Sequence, residues 1–317
     1  MPIIKLNGYK PILPFRNGHI VTIFPVFFRK QDHPGYERVR IDTPDDDFLD
    51  LDFVKSGNKK VVLICHGLEG SAQSHYVLSL SKLLAKNGYD AAAINYRGCS
   101  GEMNRQPIMY HSGATYDLHT AIDFLAQQYE KIDIVGFSLG GNLTLKYLGE
   151  NTDKVNKKIS KAVAVSVPLD LAKASIQISK WYNWQYDKNF RKHLVAKIKA
   201  KHKVNPEISL AQVQKIKTLY DFDDHYTAPY HGFKNADDYY EQCKSIQFVS
   251  SIKHKTLIIN ALDDPFLPKE CYPFELTENH PNVWFAAPRY GGHVGFVEYG
   301  KEFYWIEKQV LRFLDED

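Results

Sequence analysis

The chain has 317 residues, 44% of them apolar, with 40 Lys and Arg against 37 Asp and Glu and a formal net charge of +3. That composition is enough to fill a core, argues against disorder, and excludes a whole-chain field for nucleic acid. Four cysteines, Cys65, Cys99, Cys243 and Cys271, have no C-x-x-C spacing and read as the reduced thiols of a cytoplasmic protein.

Residues 1–35 show no clean period and no signal-peptide pattern. They read as an N-terminal arm packed on the core. For the apolar run at 20–28, which holds Pro25 and ends in Arg29 and Lys30, the alternative is a membrane-surface anchor, a peripheral contact far too short to span a bilayer. Residues 36–41 and 48–54 alternate, with Leu49, Leu51 and Phe53 to one side and Asp50 and Asp52 to the other. They predict an antiparallel hairpin with one wet face. KVVLIC at 60–65 is the unbroken apolar run of a buried parallel strand. A helical stripe at 76–86, a strand at 89–96 and a helix at 115–128 follow, then buried strands beginning at Ile132 and at Lys161. The alternation breaks between 168 and 253, which reads as helical and rich in aromatics, with no strand. Strands resume at 255–261 and 283–287, and a helix at 298–314 closes the chain. Antiparallel strands first, then parallel β–α units interrupted once, predict an α/β fold: a mostly parallel sheet with helices on both faces and an inserted helical cap. The implied division is an arm at 1–35, a core at 36–167 and 254–317, and a cap at 168–253.

Gly136-Phe137-Ser138-Leu139-Gly140 is a G-x-S-x-G pentapeptide lying between a strand and a helix. A chain that turns from strand to helix within one residue strains that residue and needs small neighbours two positions away. The strain lifts the Ser138 hydroxyl to the helix N-terminus, where negative charge is favoured. Serine acyl transfer also needs a base and an acid that orients it, in the chain order Ser, Asp, His. His293 follows the last strand in a glycine-rich loop. Asp264 opens a D-x-x-x-P frame after the preceding strand, while its neighbour Asp263 reads as a turn brace. The loop HGLEG at 66–70 follows a central strand and offers the Leu68 N–H, with the Leu139 N–H, as an oxyanion hole. His66 in that loop reads as a bracing imidazole, not the base. Among the cap aromatics, Trp181, Trp184, Phe222, Tyr230 and Phe233 are the candidates for an acyl pocket. Residues 180–217 hold ten Lys and Arg against Asp187 and Glu207, which predicts a helix with a solvated basic side. No histidine pair has metal-ligand spacing, and no Gly-rich phosphate loop follows a strand, so neither metal nor cofactor is expected.

FRNGHIVT at 15–22, HGLEG at 66–70, NYRGCSG at 95–101, YHSGATYDL at 110–118, GFSLGGN at 136–142, FDDHYTAPYHGF at 222–233, DDPFLP at 263–268 and GGHVGF at 291–296 together resemble the YheT-like branch of the α/β-hydrolases. The resemblance spans nearly the whole chain. It implies carboxylic-ester hydrolysis or acyl transfer on small-molecule acyl esters, phospholipids among them for some relatives, with Ser138, Asp264 and His293 as the triad. A serine esterase is the leading expectation. An acyltransferase and a non-catalytic binding scaffold are the alternatives.

Overall fold

The computed structural model describes Leu6 and residues 8–316; the expectation for the very start of the chain, at 1–5 and 7, lies outside the described residues. In chain order the elements are α1 (Gly18–Phe28), β1 (Glu37–Thr43), β2 (Asp47–Val54), β3 (Lys60–Cys65), α2 (His75–Lys86), β4 (Asp90–Asn95), α3 (Thr115–Gln128), β5 (Lys131–Phe137), α4 (Leu139–Glu150) and β6 (Ile159–Val165). Then come α5 (Leu171–Ile178), α6 (Trp184–Val204), α7 (Leu219–Phe222), α8 (Ala228–Tyr230), α9 (Ala236–Cys243), β7 (Lys255–Ile259), α10 (Phe274–Thr277), β8 (Val283–Ala286) and α11 (Trp305–Asp315).

The strands form one eight-stranded sheet in the order β1-β2-β4-β3-β5-β6-β7-β8. β1–β2 and β2–β4 pair antiparallel, and every other pair is parallel. Period-two alternation splits the core into two layers. Val61, Leu63, Ile132 and Ile134 face Leu118, Ile122 and Leu125 of α3 and Leu143 of α4. Val62, Ile64, Val135 and Phe137 face Val77, Leu80 and Leu84 of α2 and Trp305, Ile306 and Val310 of α11. Because β4 and β5 flank β3 on opposite sides, the winding reverses at β3. Ligands of such sheets bind beyond the carboxyl ends of the strands at that reversal, and the loops after β3 and β5 meet there.

Three expectations need correction, and the arm gains a helix that its sequence pattern did not show. The hairpin has no wet face on β2: Asp50 and Asp52 are each 1% exposed. Arg40 and Arg38 reach across from β1 to grip them with paired hydrogen bonds of 2.7–2.9 Å, and the loop after β4 adds the Ser100 carbonyl and Glu102 to the same guanidinium groups. The arm contains a helix, α1, started by Asn17, whose side chain accepts the N–H groups of His19 and Ile20. Pro25 within it hid the period. Gly18, Val21, Thr22 and Pro25 are buried against the core, while Val26, Phe27 and Phe28 are exposed. The closing helix begins at Trp305, since Gly300 takes a φ of 75° and the Glu307 carboxylate caps the N–H of Tyr304. The basic side of α6 is not all solvated: Lys201 is buried with its ammonium on Asn104, and Lys197 turns inward to Glu69 at 2.7 Å.

Candidate active site

Ser138 stands between β5 and α4 with φ 52° and ψ −117°, a strained conformation for a residue with a side chain. The glycines around it make room. A Cβ at Gly136 would strike the Gly140 carbonyl, and one at Gly140 would strike the carbonyl of Cys65 at the end of β3. Strand, helix and the loop after β3 therefore close on one point. Gly67 lies so near that a Cβ there would sit 3.2 Å from the Ser138 Cβ.

His293 arrives from the loop after β8, and its Nε2 is 2.9 Å from the Ser138 hydroxyl. Its Nδ1 is 2.9 Å from Asp264 Oδ2. The other carboxylate oxygen of Asp264 accepts the Phe266 N–H at 2.9 Å, which fixes the carboxylate plane. With the proton on Nδ1, the imidazole donates to Asp264 and accepts from Ser138. The Phe266 ring packs 4.4 Å from the imidazole.

Three side-chain oxygens from separate parts of the chain hold the His293 loop by consecutive N–H groups: Asp263 takes Gly292 at 2.8 Å, Thr22 takes His293 at 2.8 Å, and Ser166 takes Val294 at 2.9 Å. α1 passes so close that a Cβ on Gly18 would collide with the Asp263 carbonyl, and one on Gly292 with Val21. Asp263 is the turn brace its position suggested, whereas sequence reasoning missed Thr22 and Ser166. Burial, with Asp264 adjacent, pushes the Asp263 carboxyl up to about 6. His66 is buried, with Nδ1 2.7 Å from the Gly67 carbonyl, and Nε2 accepts the Tyr96 N–H at 3.4 Å. Burial lowers its pKa to about 3, which keeps it neutral and suits a brace.

Ser138 and His293 open on a cavity of about 100 Å³. Its wall combines Leu68, Met109 and Leu139 of the core with Leu171, Ile178, Phe190, Leu194 and Phe222 of the helices between β6 and β7. Of the five aromatics expected to line it, only Phe222 does. Trp181 and Trp184 are 82% and 54% exposed, because the short turn before α6 is anchored by Asn183, on the Pro265 carbonyl, and not by the indoles. Tyr230 stacks on Tyr226 and accepts the Ser209 N–H at 3.0 Å, and Phe233 packs behind the wall on His111 and Tyr239.

The alpha/beta hydrolase fold family model matches residues 60–296. YheT of Escherichia coli, a protein whose name assigns it provisionally to the esterases, is 34% identical over 296 residues, which cover 90% of this chain and 86% of that one. The chain is a YheT-like α/β-hydrolase. Human monoacylglycerol lipase ABHD2 is 25% identical, with 98% of this chain and 80% of that one aligned, and human phospholipase ABHD3 is 28% identical over 94% and 75%. Among solved structures, the Pyrococcus furiosus esterase Pf2001 superposes with a TM-score of 0.60 over 88% of this chain and 89% of that one, at 19% identity, a likeness of fold alone. This YheT-like hydrolase has esterase-like relatives along nearly its whole length, and among its described residues no helix is long and apolar enough to cross a membrane.

Proposed function

We propose that the protein is a serine carboxylic-ester hydrolase acting on short- to medium-chain acyl esters. The observation that carries the reading is the hydrogen-bonded series Ser138–His293–Asp264 at the mouth of an apolar cavity. Ser138 Oγ attacks the ester carbonyl carbon as its proton passes to His293 Nε2, and the electron pair moves onto the carbonyl oxygen. Asp264 holds the imidazole in the required tautomer and stabilises the imidazolium. The N–H groups of Leu68, in the loop after β3, and of Leu139, in the first turn of α4, receive the oxyanion. Collapse expels the alcohol, protonated by His293, and water activated by the same imidazole releases the acid from the acyl-serine. The segment 168–253 acts as a cap whose apolar side chains take the acyl chain. The lipase and phospholipase names of the relatives fit such a substrate.

The test is labelling by a fluorophosphonate together with a series of p-nitrophenyl esters. Labelling is expected, with butyrate to octanoate turned over faster than acetate. Absence of both labelling and ester turnover would remove the reading.

Thr22 acts through His293 as a positioning residue. Thr22→Val keeps the shape and deletes the acceptor of the His293 N–H, leaving a half-buried donor without its partner. The expected cost is about tenfold in kcat with little change in KM, recovered by Thr22→Ser. A loss carried by KM alone, or no recovery with serine, would give Thr22 a packing role only.

A further inference from the structure

The run FDDHYTAPYHGF at 222–233 has no part in the chemistry at Ser138, yet it builds one wall of the cavity. Between α7 and α8 it forms a π-helical turn, Asp223–Thr227, closed by the Ala228 N–H on the Asp223 carbonyl. Such wide turns re-aim side chains and recur at functional sites. Here the turn brings Asp223 and Thr227 to the cavity, and His231 follows them.

Among the described residues of the cavity wall, Asp223 is the one carboxylate. Its oxygens accept from Thr227 Oγ1 at 2.6 Å and from the Tyr240 hydroxyl at 2.7 Å, both neutral donors. No Lys, Arg or His among the described residues pairs with it. Lys197, the wall's ammonium, is committed to Glu69 at 2.7 Å and Cys99 at 3.0 Å. The remaining groups facing Asp223 are Ser175 of α5 and Tyr239, Tyr240 and Cys243 of α9. Burial raises the phenols and the thiol, which stay protonated, and pushes the Asp223 carboxyl up to about 6. At pH 8 the cavity therefore holds a carboxylate without a counter-charge, a costly arrangement. Each carboxylate oxygen has a second acceptor direction free of these donors. The rings of Phe222, Tyr239 and Tyr240 stand in the same wall. A carboxylate among aromatic faces attracts an organic cation.

We propose that Asp223, with Phe222, Tyr239 and Tyr240, forms a cation subsite of the cavity that takes an ammonium group carried by the ester substrate. This rests on the esterase reading of Ser138. The ammonium belongs either to the acyl chain or to the alcohol, and the experiment separates the two.

One arm compares p-nitrophenyl esters of ω-trimethylammonio acids with ω-tert-butyl isosteres over a range of chain lengths. The other compares choline with 3,3-dimethylbutyl hexanoate. At pH 8 the cationic ester of one arm is expected to exceed its neutral partner in kcat/KM by about tenfold, which is about 1.4 kcal/mol. The ratio should fall towards one as pH drops through about 6 and Asp223 takes up a proton. Burial keeps His111 and His231 neutral, so neither adds a charge to the cavity over this range. Asp223→Asn should abolish the preference, bringing the ratio of each pair to about one at pH 8. A ratio of one or less in both arms at pH 8, with neutral esters hydrolysed, would overturn the subsite and leave the esterase reading intact. If the variant fails to fold, the wild-type ratio and its pH course decide. If no ester is hydrolysed, calorimetric binding of hexyltrimethylammonium to the wild-type protein decides: binding at pH 8 that weakens at pH 5 supports the subsite, and no binding refutes it.

Discussion

Ser138→Ala is expected to lower ester turnover by about 10⁴-fold or more and to abolish fluorophosphonate labelling, with the fold intact. The Ser138 hydroxyl is the group within reach of His293 Nε2, at 2.9 Å, and it sits where a helix N-terminus and the loop after β3 favour an oxyanion. The same geometry explains why the change should leave stability alone. The strain at φ 52° belongs to the backbone, and an alanine Cβ bears it as the serine Cβ does. Circular dichroism and thermal unfolding should match wild type. His293→Ala should cost about as much, and the double variant little more, because residues that act on one proton transfer are not additive. Retention of wild-type ester turnover by a folded Ser138→Ala protein would rule out covalent catalysis at this position.

The elbow was legible because its requirements are local. A strand, a strained residue and small neighbours must follow one another within a few positions, and 132–147 states all of them. The parallel strands were legible for a similar reason, since a strand buried on both faces must be apolar throughout. What stayed hidden depends on partners far away in the chain. Nothing near Thr22 or Ser166 announces that their hydroxyls hold the backbone of the His293 loop, 271 and 128 residues distant. Alternation in β2 correctly separated Asp50 and Asp52 from Leu49 and Leu51, but the wet face it predicted assumed that carboxylates face water. Arginines across the strand satisfy them instead. The tryptophans misled in the opposite sense. Aromatic content marks surface that can be buried, and an anchor such as Asn183 decides which way a short turn faces.

The choice between two adjacent carboxylates makes the sharpest remaining prediction. Asp264→Asn is expected to cost about 10³- to 10⁴-fold in kcat. Its Oδ2 accepts the Nδ1 proton of His293, and an amide at that position can present its NH₂ group and favour the tautomer with the proton on Nε2, where it cannot take one from Ser138. Asp263→Asn should stay within about fivefold, because the asparagine carbonyl oxygen can still accept the Gly292 N–H. Asp263→Asn also has a signature in stability. Burial and the neighbouring Asp264 raise the Asp263 carboxyl from 3.8 to about 6, so the folded state binds that proton more tightly than the unfolded state does. Wild-type protein therefore loses stability as pH rises between these two values. Asp263→Asn lacks that loss, and its melting temperature relative to wild type should be higher at pH 8 than at pH 4. The reverse order of activities, with both variants folded, would move the acid of the triad to Asp263.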